Sequence, residues 1–195
     1  MRRDEVMKLY RRVEKTDPAT GKTVREAVYI GPLYTVPGRD LAAAVRRSAL
    51  YWGLALVGSL GAGFVPALST HTAWVLLPYL AALVTLCVTA TSLWTLHKAT
   101  LPLTEMQRQE GLERLRSWSV AQAVLAGAWF IGEAVFVLRM LPYIAFTGDG
   151  LFLLFAALCA AGSVLLCLSV RGLRAERVTR EEFEENAQDG KAGNP

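Results

Sequence analysis

Two histidines and three cysteines are all that the 195 residues offer a transition metal. Cys87, Cys159 and Cys167 share no Cys-x-x-Cys spacing, which removes the sequence basis for a redox motif or a zinc knuckle. Each lies inside an apolar stretch and reads as a small buried hydrophobe. His71 and His97 flank the same apolar stretch at its two ends, too far apart to share an ion. Also missing are a phosphate loop, a nucleophile elbow, a metal-binding helix motif and a pair of carboxylates at catalytic spacing. Gly21-Lys22-Thr23 echoes the end of a phosphate loop, but the upstream glycine and the strand–helix context are absent. The expectation is a protein that is not an enzyme and carries no cofactor or metal. Residues 1–40 hold no short apolar core followed by a small-x-small cleavage site, so this segment is expected to stay in the mature chain.

Charge is scarce over long distances. The chain is 53% hydrophobic with a mean hydropathy of +0.31, above the roughly 45–50% apolar content of soluble domains. The excess is concentrated in four blocks, predicted as helices over about 47–68, 73–96, 120–141 and 151–170. Each approaches the ~20 residues that cross ~30 Å of hydrocarbon. A helix is required there because lipid offers no partner to a bare backbone amide. The fold expected is an all-α integral membrane protein: a four-transmembrane-helix bundle over residues 41–175, preceded by a small cytosolic β-hairpin with its lead-in segment over 1–40, and followed by a disordered acidic tail over 176–195.

The net charge of +4 has a positional meaning. Lys and Arg alternate between rich and poor along the connections. Arg46 and Arg47 close the N-terminal side; Lys98, Arg108, Arg114 and Arg116 lie in the second connection; Arg171 and Arg174 open the C-terminal side. The first connection has no Lys or Arg, and the third has only Arg139 near its start. The positive-inside rule then predicts cytosolic N- and C-termini. Trp94 and Trp118 fall near the expected inner interface, and Trp74 and Tyr143 near the outer one. Basic residues so arranged meet lipid headgroups, which leaves no role for nucleic acid. The Ala-, Arg-, Leu- and Gly-rich composition suggests a bacterial cytoplasmic (inner) membrane.

Outside the blocks, 7–15 and 23–30 carry strand-forming residues around the turn signal Asp17-Pro18-Ala19-Thr20-Gly21-Lys22, predicting a hairpin. A lone hairpin is marginal in water and wants a partner. In the second connection, Thr104 and Gln107 have capping-box spacing. The helix it starts either lies on the inner leaflet or extends the third block into the cytosol.

Glu133 is the most informative polar residue. It lies about two-thirds of the way along the third block toward its outer end, where an ionisable group costs on the order of 2.5–3.5 kcal/mol. It is read either as a proton- or cation-responsive site, or as a structural group bonded to a neighbouring helix or paired with Arg139. Gln122, Thr89 and Ser92, with Thr85 and Ser163, are candidates for a polar path; such hydroxyls more often bond a carbonyl of their own helix. Ala55, Ser59 and Gly63 form a small-residue stripe on the first block, suited to close helix packing. The function expected is a small non-enzymatic subunit or scaffold of a larger membrane assembly. Its partners would be membrane lipid and a protein, or a second copy, met through the hairpin or the first helix. The alternative is an oligomeric small-solute or proton-coupled transporter or channel using Glu133.

Overall fold

The computed structural model describes residues 8–16, 23–37, 40–140 and 147–179. The turn at 17–22, Tyr143 and the acidic segment from Arg180 onward fall outside them. Four long helices dominate: α1 (Leu41–Gly63), α2 (Ala73–His97), α3 (Arg114–Met140) and α4 (Thr147–Arg171). They pack in cyclic order, with α4 closing on α1 and the α1–α4 contact the most extensive. Cross-contacts make every neighbour antiparallel. Ser48 meets Ser169 and Ser59 meets Cys159; Thr85 meets Gln122 and Gln122 meets Ser163.

Three stretches are long and apolar enough to cross a membrane: Ala73–His97, Gln107–Met140 and Gly148–Arg171. Their outward faces carry bare apolar side chains such as Leu77, Val124, Ile131 and Leu154. Water would penalise that inversion and hydrocarbon would not.

The first block departs from expectation. Its helix runs over Leu41–Gly63, not 47–68. Asp40 caps it by accepting the Ala42 amide at 2.9 Å, so the helix starts before Arg46 and Arg47 and carries both. It ends early because Pro66 disfavours helical backbone at the residue before it. Only residues 48–63 separate Arg47 from the end, about 24 Å of helix at 1.5 Å per residue. A short 3-10 turn, Leu68–His71, then leads into α2.

The hairpin is present: β1 (Tyr10–Thr16) pairs antiparallel with β2 (Thr23–Tyr29), Tyr10 facing Tyr29 and Thr16 facing Thr23. A second sheet was not anticipated. β3 (Leu33–Thr35) is its centre, flanked by β4 (Leu103–Thr104) and β5 (Glu176–Val178), both antiparallel. The expected disordered tail therefore begins too early at 176, since Glu176–Val178 are held by backbone pairing to β3. The sheet is tied to the helices by an apolar cluster in which Val36, Leu103 and Leu173 meet Leu41, Leu96, Leu112 and Leu166. A second cluster, containing Ala55, Leu86, Trp129 and Phe152, fills the far half of the bundle.

Thr104 and Gln107 do form the reciprocal box: the Thr104 amide donates to Gln107 Oε1 at 2.9 Å, and the Gln107 amide to Thr104 Oγ1 at 3.3 Å. The segment it caps is π-helical, Gln107–Glu113, and runs directly into α3. The extension reading therefore describes the second connection.

Candidate functional site

Polar side chains in the bundle occur at two levels. At the first, Gln122 is wholly buried on α3 and bridges two helices. Its Oε1 accepts from Thr85 Oγ1 on α2 at 2.6 Å, and its Nε2 donates to Ser163 Oγ on α4 at 3.3 Å. Ser163 returns its own hydroxyl hydrogen to the Cys159 carbonyl at 2.7 Å, and Cys159 Sγ lies 3.1 Å from Ser59 Oγ on α1. All four helices thus share one transverse chain of polar contacts. An amide side chain in a dry interior is satisfied only by such partners, so this level acts as a clasp. Of the other candidates for the path, Thr89 bonds the Thr85 and Leu86 carbonyls, and Ser92 the Val88 carbonyl. Both serve their own helix.

The second level is the end of the bundle remote from the sheets. Glu133 is fully buried, and neither carboxylate oxygen has a hydrogen-bond partner among the described residues. Ser69 and Asp149 are the groups near enough to act on it. Asp149, in the first turn of α4, is 3% exposed, and its Oδ1 accepts the Ser69 amide at 3.1 Å. Ser69 Oγ and Trp129 Nε1 are likewise buried without partners. Trp129 sits one turn from Glu133 on α3. The expected alternative of a Glu133–Arg139 ion pair is not formed: Arg139 is exposed and Glu133 is not. Sequence reading missed Asp149 and Ser69. The only available signal was an acidic residue two positions before the fourth block, where a helix start would favour it through the helix dipole.

Between the two levels the interior is closed. On α3, Ala126 and Trp129 follow Gln122 on the buried face, both with no exposed area. The Trp129 ring packs 4.8 Å from Tyr79 of α2 and 5.5 Å from Phe152 of α4, centroid to centroid. This aromatic triad separates Gln122 from Glu133.

Close packing of α1 also differs in detail from the expected stripe. Ala55 and Ser59 are buried against α4, but Gly63 is exposed at the helix end. The close backbone-to-backbone approach of α1 and α4 is instead made at Gly58 and Gly162. A Cβ at Gly58 would lie 2.6 Å from the Cys159 amide nitrogen, and one at Gly162 would lie 2.7 Å from the Ala55 amide nitrogen.

At the opposite end a polar collar joins the sheets to α3. Arg108 forms a two-armed pair with Glu105, Nη2–Oε1 2.6 Å and Nε–Oε2 3.3 Å, and also pairs with Glu113. Its guanidinium stacks 4.7 Å from the Tyr34 ring centroid. Gln109 donates to Glu105 at 2.6 Å, and the Glu105 amide donates to the Tyr29 hydroxyl at 3.0 Å. The Arg108 hydrogen bonds, aided by those of Tyr34 and Gln109, hold the Glu105 carboxyl down at about 2. Tyr29 and Tyr34 are pushed up, chiefly by burial. Tyr29 belongs to β2, so the collar also tethers the hairpin. Arg46, Arg47, Arg114, Arg116, Arg171 and Arg174 are all exposed, and all occupy this same end. Among the described residues, no group of three or more His, Cys, Asp or Glu side chains could hold a metal ion.

Compared with known proteins, the chain matches no family model, no curated protein and no solved structure.

Proposed function

We propose that this chain is a four-helix membrane anchor acting as a non-catalytic subunit or scaffold of a larger assembly, with both termini in the cytosol. In this reading α1 is a fourth crossing, completed on the outer side by residues 64–68. The six exposed arginines at the sheet-bearing end support assigning that end to the cytosol by the positive-inside rule. The Ala-, Leu-, Gly- and Arg-rich composition fits a bacterial cytoplasmic membrane.

The observation that carries the reading is a bundle interior closed by Tyr79, Trp129 and Phe152, combined with a hairpin whose two outer edges pair with no other strand among the described residues. A plugged bundle offers no internal route for a solute, whereas an open strand edge is a ready template for backbone pairing with another chain. The test is affinity purification of the full chain from gently solubilised membranes, beside a variant lacking residues 1–28, which keeps Tyr29 and β3. A stoichiometric partner or second copy that is lost with the hairpin supports the proposal. A lone monomer whose behaviour ignores the deletion sinks it.

One observation favours a second reading. A wholly buried carboxylate with a second one, Asp149, near enough to act on it supports a proton- or cation-responsive site in an oligomeric transporter or channel. Solute or proton flux in reconstituted vesicles that disappears in Glu133→Gln would select it over the scaffold.

A further inference from the structure

A lateral groove of about 750 Å³ lies between α1 and α2 at the sheet-bearing end. It exists because α1 is drawn toward α4. Gly58 and Gly162 bring those two backbones together, while α1 and α2 make the sparsest contact between adjacent helices. Its walls are Val45, Ala49 and Trp52 on one side and Ala90, Leu93 and Trp94 on the other. Small side chains at 49 and 90 leave the width open. The groove therefore opens sideways, onto the face where lipid lies.

Its chemistry changes along its length. Arg46 and His97 line the mouth, and Lys98 Nζ stands 4.5 Å over the Trp94 ring beside it. Among the described lining residues the one acidic group is Asp40, which already spends a carboxylate oxygen on the Ala42 amide as helix cap. From Arg46 to Trp52 the groove runs about 9 Å along α1 with apolar walls. A cationic mouth at headgroup depth above an apolar slot matches an anionic head on an acyl chain.

We propose that this groove is a binding site for one anionic phospholipid of the inner leaflet, its phosphate held by Arg46, His97 and Lys98 and an acyl chain lying between Trp52 and Ala90. The proposal rests on the membrane reading of α1 given above.

Trp52 and Trp94 line the slot and supply the probe. The full chain, with the remote lipid-facing Trp74 and Trp118 changed to Phe, is reconstituted into phosphatidylcholine vesicles containing acyl-brominated phosphatidylglycerol or acyl-brominated phosphatidylcholine. Tryptophan quenching is then read against the fraction of brominated lipid. The expected result is an apparent preference of roughly tenfold for the anionic lipid, falling by roughly fivefold in Arg46→Gln. Ala49→Phe, at an exposed position, should abolish the preference by filling the slot while keeping every charge. Equal quenching by both lipids, or a preference untouched by Ala49→Phe, overturns the site and leaves the membrane reading standing. No quenching by either lipid overturns both, as it would if a protein segment covered the groove or α1 lay outside the bilayer.

Discussion

Replacing Gly58 with alanine separates the two roles a glycine plays in a packed helix. On propensity alone, Gly→Ala in a helix stabilises by roughly 1 kcal/mol. At Gly58 the new Cβ would sit 2.6 Å from the Cys159 nitrogen, 2.7 Å from the Phe155 carbonyl oxygen and 3.0 Å from Cys159 Cα. All three are backbone atoms of α4 and cannot rotate away. Comfortable separation begins near 3.5 Å, so α1 and α4 must part by about 1 Å at their crossing. That strains the Ser59–Cys159 contact and the Ser48–Ser169 hydrogen bond at 2.9 Å, and overpacking of this kind costs about 1–3 kcal/mol. Gly53, on the same helix, has nothing within 4 Å of its Cβ position, so Gly53→Ala keeps only the propensity gain. The two variants should differ by about 1–3 kcal/mol, the overpacking cost alone, with Gly58→Ala the less stable. SDS-induced unfolding of the detergent-solubilised protein, followed by far-ultraviolet circular dichroism, measures the difference. Gly162→Ala should resemble Gly58→Ala, and the double variant should lose less than the sum because both open one crossing. If Gly58→Ala unfolds at the same SDS fraction as Gly53→Ala or a higher one, the α1–α4 packing described above is wrong.

Glu105→Gln should destabilise the collar by about 1–2 kcal/mol at neutral pH, after allowance for solvent screening. The Glu105 carboxyl is held at about 2 against an ordinary 4.5, so its contribution is complete above about 4.5 and lost as pH falls toward 2. The gap between wild type and variant in urea or thermal unfolding should therefore close over that interval; a gap constant with pH would count against the Arg108–Glu105 pair. Gln122→Leu removes the clasp while Thr85 keeps its bond to the Ala82 carbonyl at 2.8 Å and Ser163 its bond to Cys159, so the expected loss in SDS unfolding is only about 0.5–1.5 kcal/mol. A collapse of the fold would show the amide to be more than a clasp. In a background without native cysteines, Thr70→Cys should react with a membrane-impermeant maleimide added outside intact cells, and Gly172→Cys only after permeabilisation. The reverse pattern would invert the orientation.

Much of this protein is written along the chain in one dimension. The apolar blocks, the alternation of Lys and Arg between their ends, the capping box at Thr104 and Gln107 and the two strands of the hairpin depend on neighbours within a few residues. Pro66 belongs to the same class and was legible as a helix stop, though block length alone carried the first helix past it to 68. What only the tertiary structure decided involves residues far apart in sequence. β3, β4 and β5 draw two or three residues each from the regions of 33, 103 and 176, too few for a strand pattern to show until they pair. Glu133 announced itself by its cost in an apolar helix, but Asp149 and Ser69 became its neighbours only when α4 and the turn before α2 met the end of α3. Gln122 looked like a step on a path and is a clasp, because Trp129, Tyr79 and Phe152 close the interior between it and Glu133. The groove beside Trp52 follows from the same cause. Two glycines fix which neighbour α1 approaches, and that choice opens the gap on its other side.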